Sequence, residues 1–467
     1  MLRILFATCF GLLALIIAGC NATQSGEPVV LESTDQFQAV ASDFGPREEM
    51  PGAPLYATHC EGCHNGTVPK APHFSWLEMM TPAVLLKSLD EGIMKPQAAA
   101  LSVEERRHVV EYITRTPADT KLTHTLPMCS QDITLDQTAT PPAVGWGHDT
   151  NRFTSAADGG IGVDAVRNLE LKWSFAYPGA LRARSQPAVG WGAVYTGSQD
   201  GTVYAFDLKS GCVHWTFQAS AEVRTAIVLT TTGTPLALFG DILAKAYAVN
   251  ALTGELVWSV KVDDHPVATI TGAPALAGDH LFVPVSSLEV VAAADPAYPC
   301  CSFRGSILAL DVESGKEIWR HYAIPEAPAV TGKTSVGTNI IAPSGAPIWS
   351  NPTVDHQRNR LYIGTGENYS TPADGNSDAI IAIDMTTGER VWQRQSTSGD
   401  AWNVACMMDD NPNCPPERGP DFDHGSSILL VDLPNGKQVL AAGHKNGTVF
   451  VLDPDNKGNI LWSVKVG

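Results

Sequence analysis

The stretch that decides the fold is Ala205-Phe206-Asp207-Leu208-Lys209-Ser210-Gly211-Cys212-Val213-His214-Trp215. An apolar strand carrying alanine runs into aspartate, a glycine-containing turn follows, and the next strand presents a tryptophan. The same order returns at Ala248-Val249-Asn250 with Gly254 and Trp258, at Ala309-Leu310-Asp311 with Gly315 and Trp319, at Ala382-Ile383-Asp384 with Gly388 and Trp392, and at Val451-Leu452-Asp453 with Gly458 and Trp462. Five copies at intervals of 43, 61, 73 and 70 residues mark one supersecondary unit used repeatedly. A hairpin with one large aromatic at a fixed position suits blades stacked around an axis, each tryptophan filling the gap to its neighbour. Trp173 reads as a lone sixth copy without its preceding hairpin, as expected if the first strand of the domain closes the last blade.

Composition agrees with a strand-rich chain. Gly 41 and Pro 32 among 467 residues, with only 17% charged, argue against bundles and coiled coils. At 44% hydrophobic the chain has ample material for a core. A net charge of -18 repels phosphate backbones, so no nucleic acid is expected as a partner.

The first residues set the compartment. Arg3 is followed by the apolar run Ile4 to Ala18, short for a membrane span and of the form of a signal peptide. Ile17-Ala18-Gly19-Cys20 resembles a bacterial lipobox, which implies lipidation at Cys20, a periplasmic location and, with Asn21 following, an anchor in the outer membrane. Setting aside Cys9, Cys20, Cys60 and Cys63 leaves six cysteines, a number suited to three disulfides. Cys406 and Cys414 close a short loop, Cys129 and Cys212 are left by elimination, and Cys300 and Cys301 are adjacent.

Cys60-Glu61-Gly62-Cys63-His64 is the C-x-x-C-H pattern for covalent attachment of haem c. Two thiols add to the vinyl groups, and His64 is placed to ligate the iron. The sixth ligand is expected from Met94, with Met79, Met80, Met128 and His73 as alternatives. Met94 precedes a helical pattern that opens at Leu101-Ser102 and carries Val109, Val110 and Ile113, and Pro117 stops it. This order resembles the C-terminal third of a class I cytochrome c. The chain thus divides into a leader (1–20), a linker (21–45), a small all-α cytochrome c domain (46–117), a second linker (118–142) and a propeller (143–467).

The repeat, with Trp146-Gly147-x-Asp149-x-Asn151-Arg152 and Asn168-Leu169-x-Leu171-x-Trp173, resembles the eight-bladed β-propeller of the pyrroloquinoline quinone (PQQ) alcohol dehydrogenases. With a haem domain in front, the order of domains is similar to that of the polyvinyl alcohol dehydrogenases within the quinohaemoprotein branch. The resemblance implies a mainly β fold of which about five blades are present, the propeller being incomplete at its C-terminal end. It also implies PQQ and Ca2+ as cofactors. Trp349, some fifteen residues before Gly364-Thr365-Gly366, matches the family's tryptophan floor under the quinone. Glu289 and Asn368 match its calcium ligands, with the register at Asn368 open by one because Glu367 intervenes. Asp423, in Asp421-Phe422-Asp423-His424-Gly425, matches the catalytic base, with Asp421 as alternative, and Lys445 the cation on the quinone oxygens. Cys300-Cys301 is similar to the adjacent-cysteine disulfide on the other face of the quinone.

The activity implied is oxidation of secondary alcohol groups, those of polyvinyl alcohol or a related hydroxylated polymer, to ketones, with electrons passed to haem and on to a periplasmic cytochrome or respiratory acceptor. Small alcohols or sugars are the alternative substrates. A non-enzymatic outer-membrane propeller scaffold is the alternative role, one that gives the haem motif, Trp349, Asn368 and Asp423 no purpose.

Overall fold

The helical part of the chain is organised around one reciprocal cap. Ser102 Oγ accepts the Glu105 amide while the Glu105 carboxylate accepts the Ser102 amide, so two otherwise orphaned donors are satisfied at once. From this cap the helix Val103–Thr114 runs to Arg115 and buries Val109, Val110 and Ile113. It packs on the helices Gly52–His59 and Pro82–Asp90, with the short helices Glu61–His64 and Phe74–Leu77 beside them. The structure, a computed structural model, describes residues 44–467 apart from 67, 69, 70, 119–124, 140, 142–144, 148, 179 and 181. The segment 1–20 expected to be a leader, with Cys20, lies outside the described residues.

From Ala188 onward the chain forms five antiparallel blades, 188–218, 228–261, 275–322, 353–395 and 429–465, each with four strands in sequential order. The third blade gains a short extra strand, Ala268–Thr269, and a separate hairpin pairs Ala329–Lys333 with Asn339–Ala342. The repeat explains the blade. In every one the small residue lies directly opposite the tryptophan: Ala205 with Trp215, Ala248 with Trp258, Ala309 with Trp319, Ala382 with Trp392 and Val451 with Trp462. Immediately after each pair the register shifts by a bulge, which bends and twists the outer strand. The repeat aspartate or asparagine holds the turn, Asp207 Oδ1 accepting the amides of Lys209 and Ser210 and Asn250 Oδ1 those of Leu252 and Thr253.

The glycine of each turn is required twice. Its φ lies between +64° and +76°, and a side chain there would collide with the indole of the preceding unit: Gly211 with Trp173, Gly254 with Trp215, Gly315 with Trp258, Gly388 with Trp319 and Gly458 with Trp392. The indole N–H groups of Trp173, Trp215, Trp258 and Trp319 donate to the carbonyls of Leu208, Ala251, Val312 and Met385 at 2.9–3.2 Å. Blade-to-blade docking is therefore written into the hairpin itself.

The five blades form an open arc. Trp392 is 8% exposed under the fifth blade, whereas Trp462 is 54% exposed on an outer strand, Asn459–Lys465, that is exposed along its whole length. Trp392→Ala is expected to cost about 3–5 kcal/mol of unfolding free energy. Val330→Ala, 60% exposed on the hairpin outside the blades, is expected to stay within about 0.5 kcal/mol of the parent. Urea midpoints of the two variants check this, and equal losses would contradict the docking role.

Among the described residues three disulfides are formed, Cys129–Cys212, Cys300–Cys301 and Cys406–Cys414, with Cys60 and Cys63 left as thiols. The first ties the segment before the propeller to the first blade, where the Cys129 amide also donates to the Val213 carbonyl.

Candidate functional site

Two sites stand out. In the helical part, Cys60, His64, Met80 and Met94 line a cavity of about 700 Å3 whose other walls include Leu77, Leu85, Leu101, Val109 and Ile113. His64 is buried, and its Nδ1 lies 2.6 Å from the Pro72 carbonyl, which fixes the ring through one nitrogen and leaves Nε2 for a ligand. Burial lowers the His64 pKa, so the ring is held neutral, the form that binds iron. The cavity's size, apolar walls, free Cys60 and Cys63 thiols and neutral histidine fit a covalently attached haem. Both Met80 and Met94 line it, so Met94 keeps Met80 as its competitor. His73 is turned elsewhere: its Nδ1 lies 2.6 Å from Ser75 Oγ and its ring packs edge-on against Tyr298 of the propeller.

The second site lies where loops of the fourth and fifth blades meet. Asp421, Phe422 and Asp423 lie on the segment between these blades, and Lys445 on a turn of the fifth. Lys445 Nζ donates to Asp421 Oδ1 at 2.7 Å and to Asp423 Oδ2 at 2.9 Å, and its amide donates to the Asp423 carbonyl. Burial disfavours the ammonium, but the two carboxylates outweigh it and hold the Lys445 pKa well above normal. Asp423 is 3% exposed, and its Oδ1 accepts the Glu367 amide at 3.2 Å. A side chain at Gly366 would collide with that oxygen, so glycine is what lets the carboxylate lie against the backbone.

Carboxylate oxygens of Glu367, Asp421 and Asp423 lie within 4.8 Å of one another. Burial first, and then the charge of Asp423, push the Glu367 pKa well above the usual carboxylate range. A hard cation among these oxygens would relieve both penalties, so the donor set fits calcium. After Gly364-Thr365-Gly366 the two neighbouring residues face different groups. The Asn368 carboxamide is turned away, donating to the Ser344 carbonyl and to Asp374 and accepting the Asp374 amide at 2.8 Å, and Glu367 faces the acidic cluster in its place.

Glu289 is fully buried. Its Oε1 accepts the Ser302 amide at 2.8 Å and the Tyr298 hydroxyl at 3.1 Å, while Oε2 accepts the Phe303 amide at 2.7 Å. Burial opposes its charge, but His265 and those amides outweigh it and lower its pKa. Glu289 is outside the cluster of three carboxylates, yet Tyr369 joins the two regions. Its buried phenol is pushed far up by burial and by the charges of Glu367, Glu289 and Asp423.

The remaining expected residues flank the same region. A side chain on Gly425 would collide with the Trp349 ring, which packs two residues beyond Asp423 and stays 37% exposed. The Cys300–Cys301 disulfide is buried, and Asn403 Nδ2 lies 3.8 Å from Cys300 Sγ while donating to the Tyr369 carbonyl at 3.0 Å. A tryptophan face, a lysine and a buried disulfide around one group of carboxylates fit a flat, anionic quinone.

Several neighbours escaped sequence reasoning. Asp378 is fully buried against His444 at 3.5 Å, and burial raises its pKa to about 7. His424, lowered to about 3 by burial and by His444, lies 2.7 Å through its Nε2 from Ser396 Oγ. His424 and His444 adjoin Asp423 and Lys445 in sequence, whereas Asp378 has no such signal.

Comparison with known proteins agrees with this composition. Residues 230–466 match the family described as glucose/ethanol/alcohol dehydrogenase, β-propeller domain, of the PQQ type, and residues 47–113 match cytochrome c oxidase, cbb3-type, subunit III. A polyvinylalcohol dehydrogenase of Pseudomonas sp is 32% identical over 436 residues, covering 89% of this chain and 67% of the relative. A second, from Sphingopyxis sp. strain 113P3, is 31% identical over 446 residues with the same coverage. The crystal structure of quinohemoprotein alcohol dehydrogenase from Comamonas testosteroni superposes with a TM-score of 0.53 at 22% identity, over 71% of this chain and 50% of that one, and so shares its fold. The chain spans about two thirds of those relatives and half of that structure. On the match across its propeller and the identity along most of its length, the chain belongs to the PQQ family of glucose, ethanol and alcohol dehydrogenases.

Proposed function

We propose that the protein oxidises secondary alcohol groups to ketones and passes the electrons to its own haem, the substrate being polyvinyl alcohol or a related hydroxylated polymer. The observation that carries the reading is Asp423, a buried carboxylate held by the Glu367 amide and by Lys445 beside the exposed face of Trp349. PQQ, when bound, supplies the two-electron acceptor, and haem c the one-electron acceptor. Asp423 takes the hydroxyl proton, and Lys445 at 2.9 Å together with the Glu367 amide fixes the position of its carboxylate. Lys445, held charged, stabilises negative charge that develops next to it. Glu367, with Glu289 across Tyr369, would hold calcium; Trp349 and Cys300–Cys301 would bound the quinone. His64 with Met94 would ligate the haem iron, and Cys60 and Cys63 would attach the ring.

In the same reading the enzyme works in the bacterial periplasm, tethered by lipid on Cys20, and its haem is reoxidised by a periplasmic cytochrome or respiratory acceptor. Its three disulfides suit that oxidising compartment. Polymer preference is tested by following haem reduction in the holo-protein, loaded with PQQ and calcium, on adding polyvinyl alcohol, 2-propanol or glucose. Polyvinyl alcohol is expected to reduce the haem; reduction by the small substrates alone would overturn the polymer assignment.

A further inference from the structure

The haem cavity has a wall that the cytochrome residues do not supply. Besides the helical residues it is lined by Asp200, Gln218, Ala219 and Ser220 of the first blade and by Leu243, Lys245 and Lys261 of the second. Lys245 opens the strand Lys245–Asn250 and Lys261 ends the strand Leu256–Lys261, and the two are direct cross-strand partners. Like charges placed opposite each other across a ladder destabilise a sheet unless an anion lies between or beside them.

Among the described residues neither lysine has a carboxylate within salt-bridge distance. Lys245 Nζ donates to Ser220 Oγ at 3.3 Å, and Lys261 Nζ donates to the Leu243 carbonyl. Asp241, Asp263 and Asp264 raise the Lys261 pKa through their charge without outweighing its burial, and Asp241, Asp263 and Asp200 also have other partners. Asp241 accepts the Leu243 and Lys245 amides and the Tyr247 hydroxyl, Asp263 faces Arg320 and accepts the His265 amide, and Asp200 accepts from Ser198 and Thr202. Burial also lowers the Lys261 pKa, a cost that an adjacent anion would remove. His59 and Lys87 are the other basic groups on the cavity wall besides His64, and Asp200 is its one acid among the described residues.

A haem is an apolar ring whose edge carries two carboxylates. We propose that Lys245 and Lys261 hold the haem propionates, so that the propeller completes the haem site and the cofactor itself clamps the cytochrome domain to the second blade. This rests on the haem reading of Cys60, Cys63 and His64 but not on the alcohol substrate. A direct hydrogen bond from the His73 amide to the Pro266 carbonyl, at 3.2 Å, already joins the same two parts of the chain.

The test is a redox titration of the haem in the full chain carrying Lys245→Met, Lys261→Met, both together, and the corresponding arginine replacements. Ferric haem carries one more positive charge than ferrous, so a neighbouring ammonium raises the midpoint potential. Each methionine variant is expected to shift the potential downward, the double variant furthest, and the arginine variants to stay near the parent. Lys245→Gln and Lys261→Gln give the same readout where a methionine variant fails to accumulate. Covalent haem with an unchanged potential in the double variant would overturn the inference alone. Absence of covalent haem from the parent chain would overturn the haem reading with it. The titration requires neither PQQ nor alcohol, so it separates this inference from the dehydrogenase reading.

Discussion

Asp423→Asn is expected to slow alcohol-dependent haem reduction by roughly a hundred- to ten-thousand-fold, the usual contribution of a positioned general base. The substitution keeps the shape of the side chain and an oxygen for the Glu367 amide, while removing the proton acceptor. Haem attachment depends on Cys60 and Cys63, which lie in the separate helical part, so haem staining should be unchanged. Asp421→Asn is the control within the same loop. Asp421 shares Lys445 with Asp423 but is the more exposed of the two, with side-chain exposures of 29% and 4%. If Asp421→Asn abolishes turnover and Asp423→Asn does not, the base lies two residues earlier.

Glu367→Ala is expected to weaken retention of calcium, and of quinone with it, by at least about 10- to 100-fold, the loss typical even of outer-sphere supports at metal sites. Its carboxyl belongs to the cluster of acidic oxygens and is pressed towards neutrality by burial and Asp423. Asn368→Ala is expected to act differently. Its amide bonds to Asp374 within the loop and to Ser344 of a neighbouring one, so its loss destabilises that loop by about 1–3 kcal/mol and leaves the acidic cluster in place. Calcium titration followed by isothermal calorimetry, alongside urea denaturation, distinguishes the two. Equal calcium affinities in Glu367→Ala and the parent would assign the ligand role to Asn368 instead.

The two positions show how far the sequence could be read. The blades were legible because each element of the hairpin is decided locally: Ala205 must be small opposite Trp215, Asp207 must hold the turn, and Gly254 must leave room for the indole of Trp215. The helix Val103–Thr114 was legible for the same reason, its cap and apolar face lying within its own residues. Whether Glu367 or Asn368 faces the acidic cluster is decided by bonds to Ser344 and Asp423, which come from other loops, together with Asp374 of the same loop. No local pattern encodes that choice. Lys245 and Lys261 were invisible for a further reason: sixteen residues apart, they become partners only through strand register, and face a haem cavity only when the helical part packs on the second blade.

The most direct measurement is the absorption spectrum of the oxidised haem in the intact protein during addition of 2-propanol or polyvinyl alcohol, with and without PQQ and calcium. Reduction of the haem only when PQQ, calcium and alcohol are all present is the predicted result. Haem that stays oxidised under every combination, or is reduced equally without PQQ, would contradict the assignment of a quinone-dependent alcohol dehydrogenase coupled to its own cytochrome.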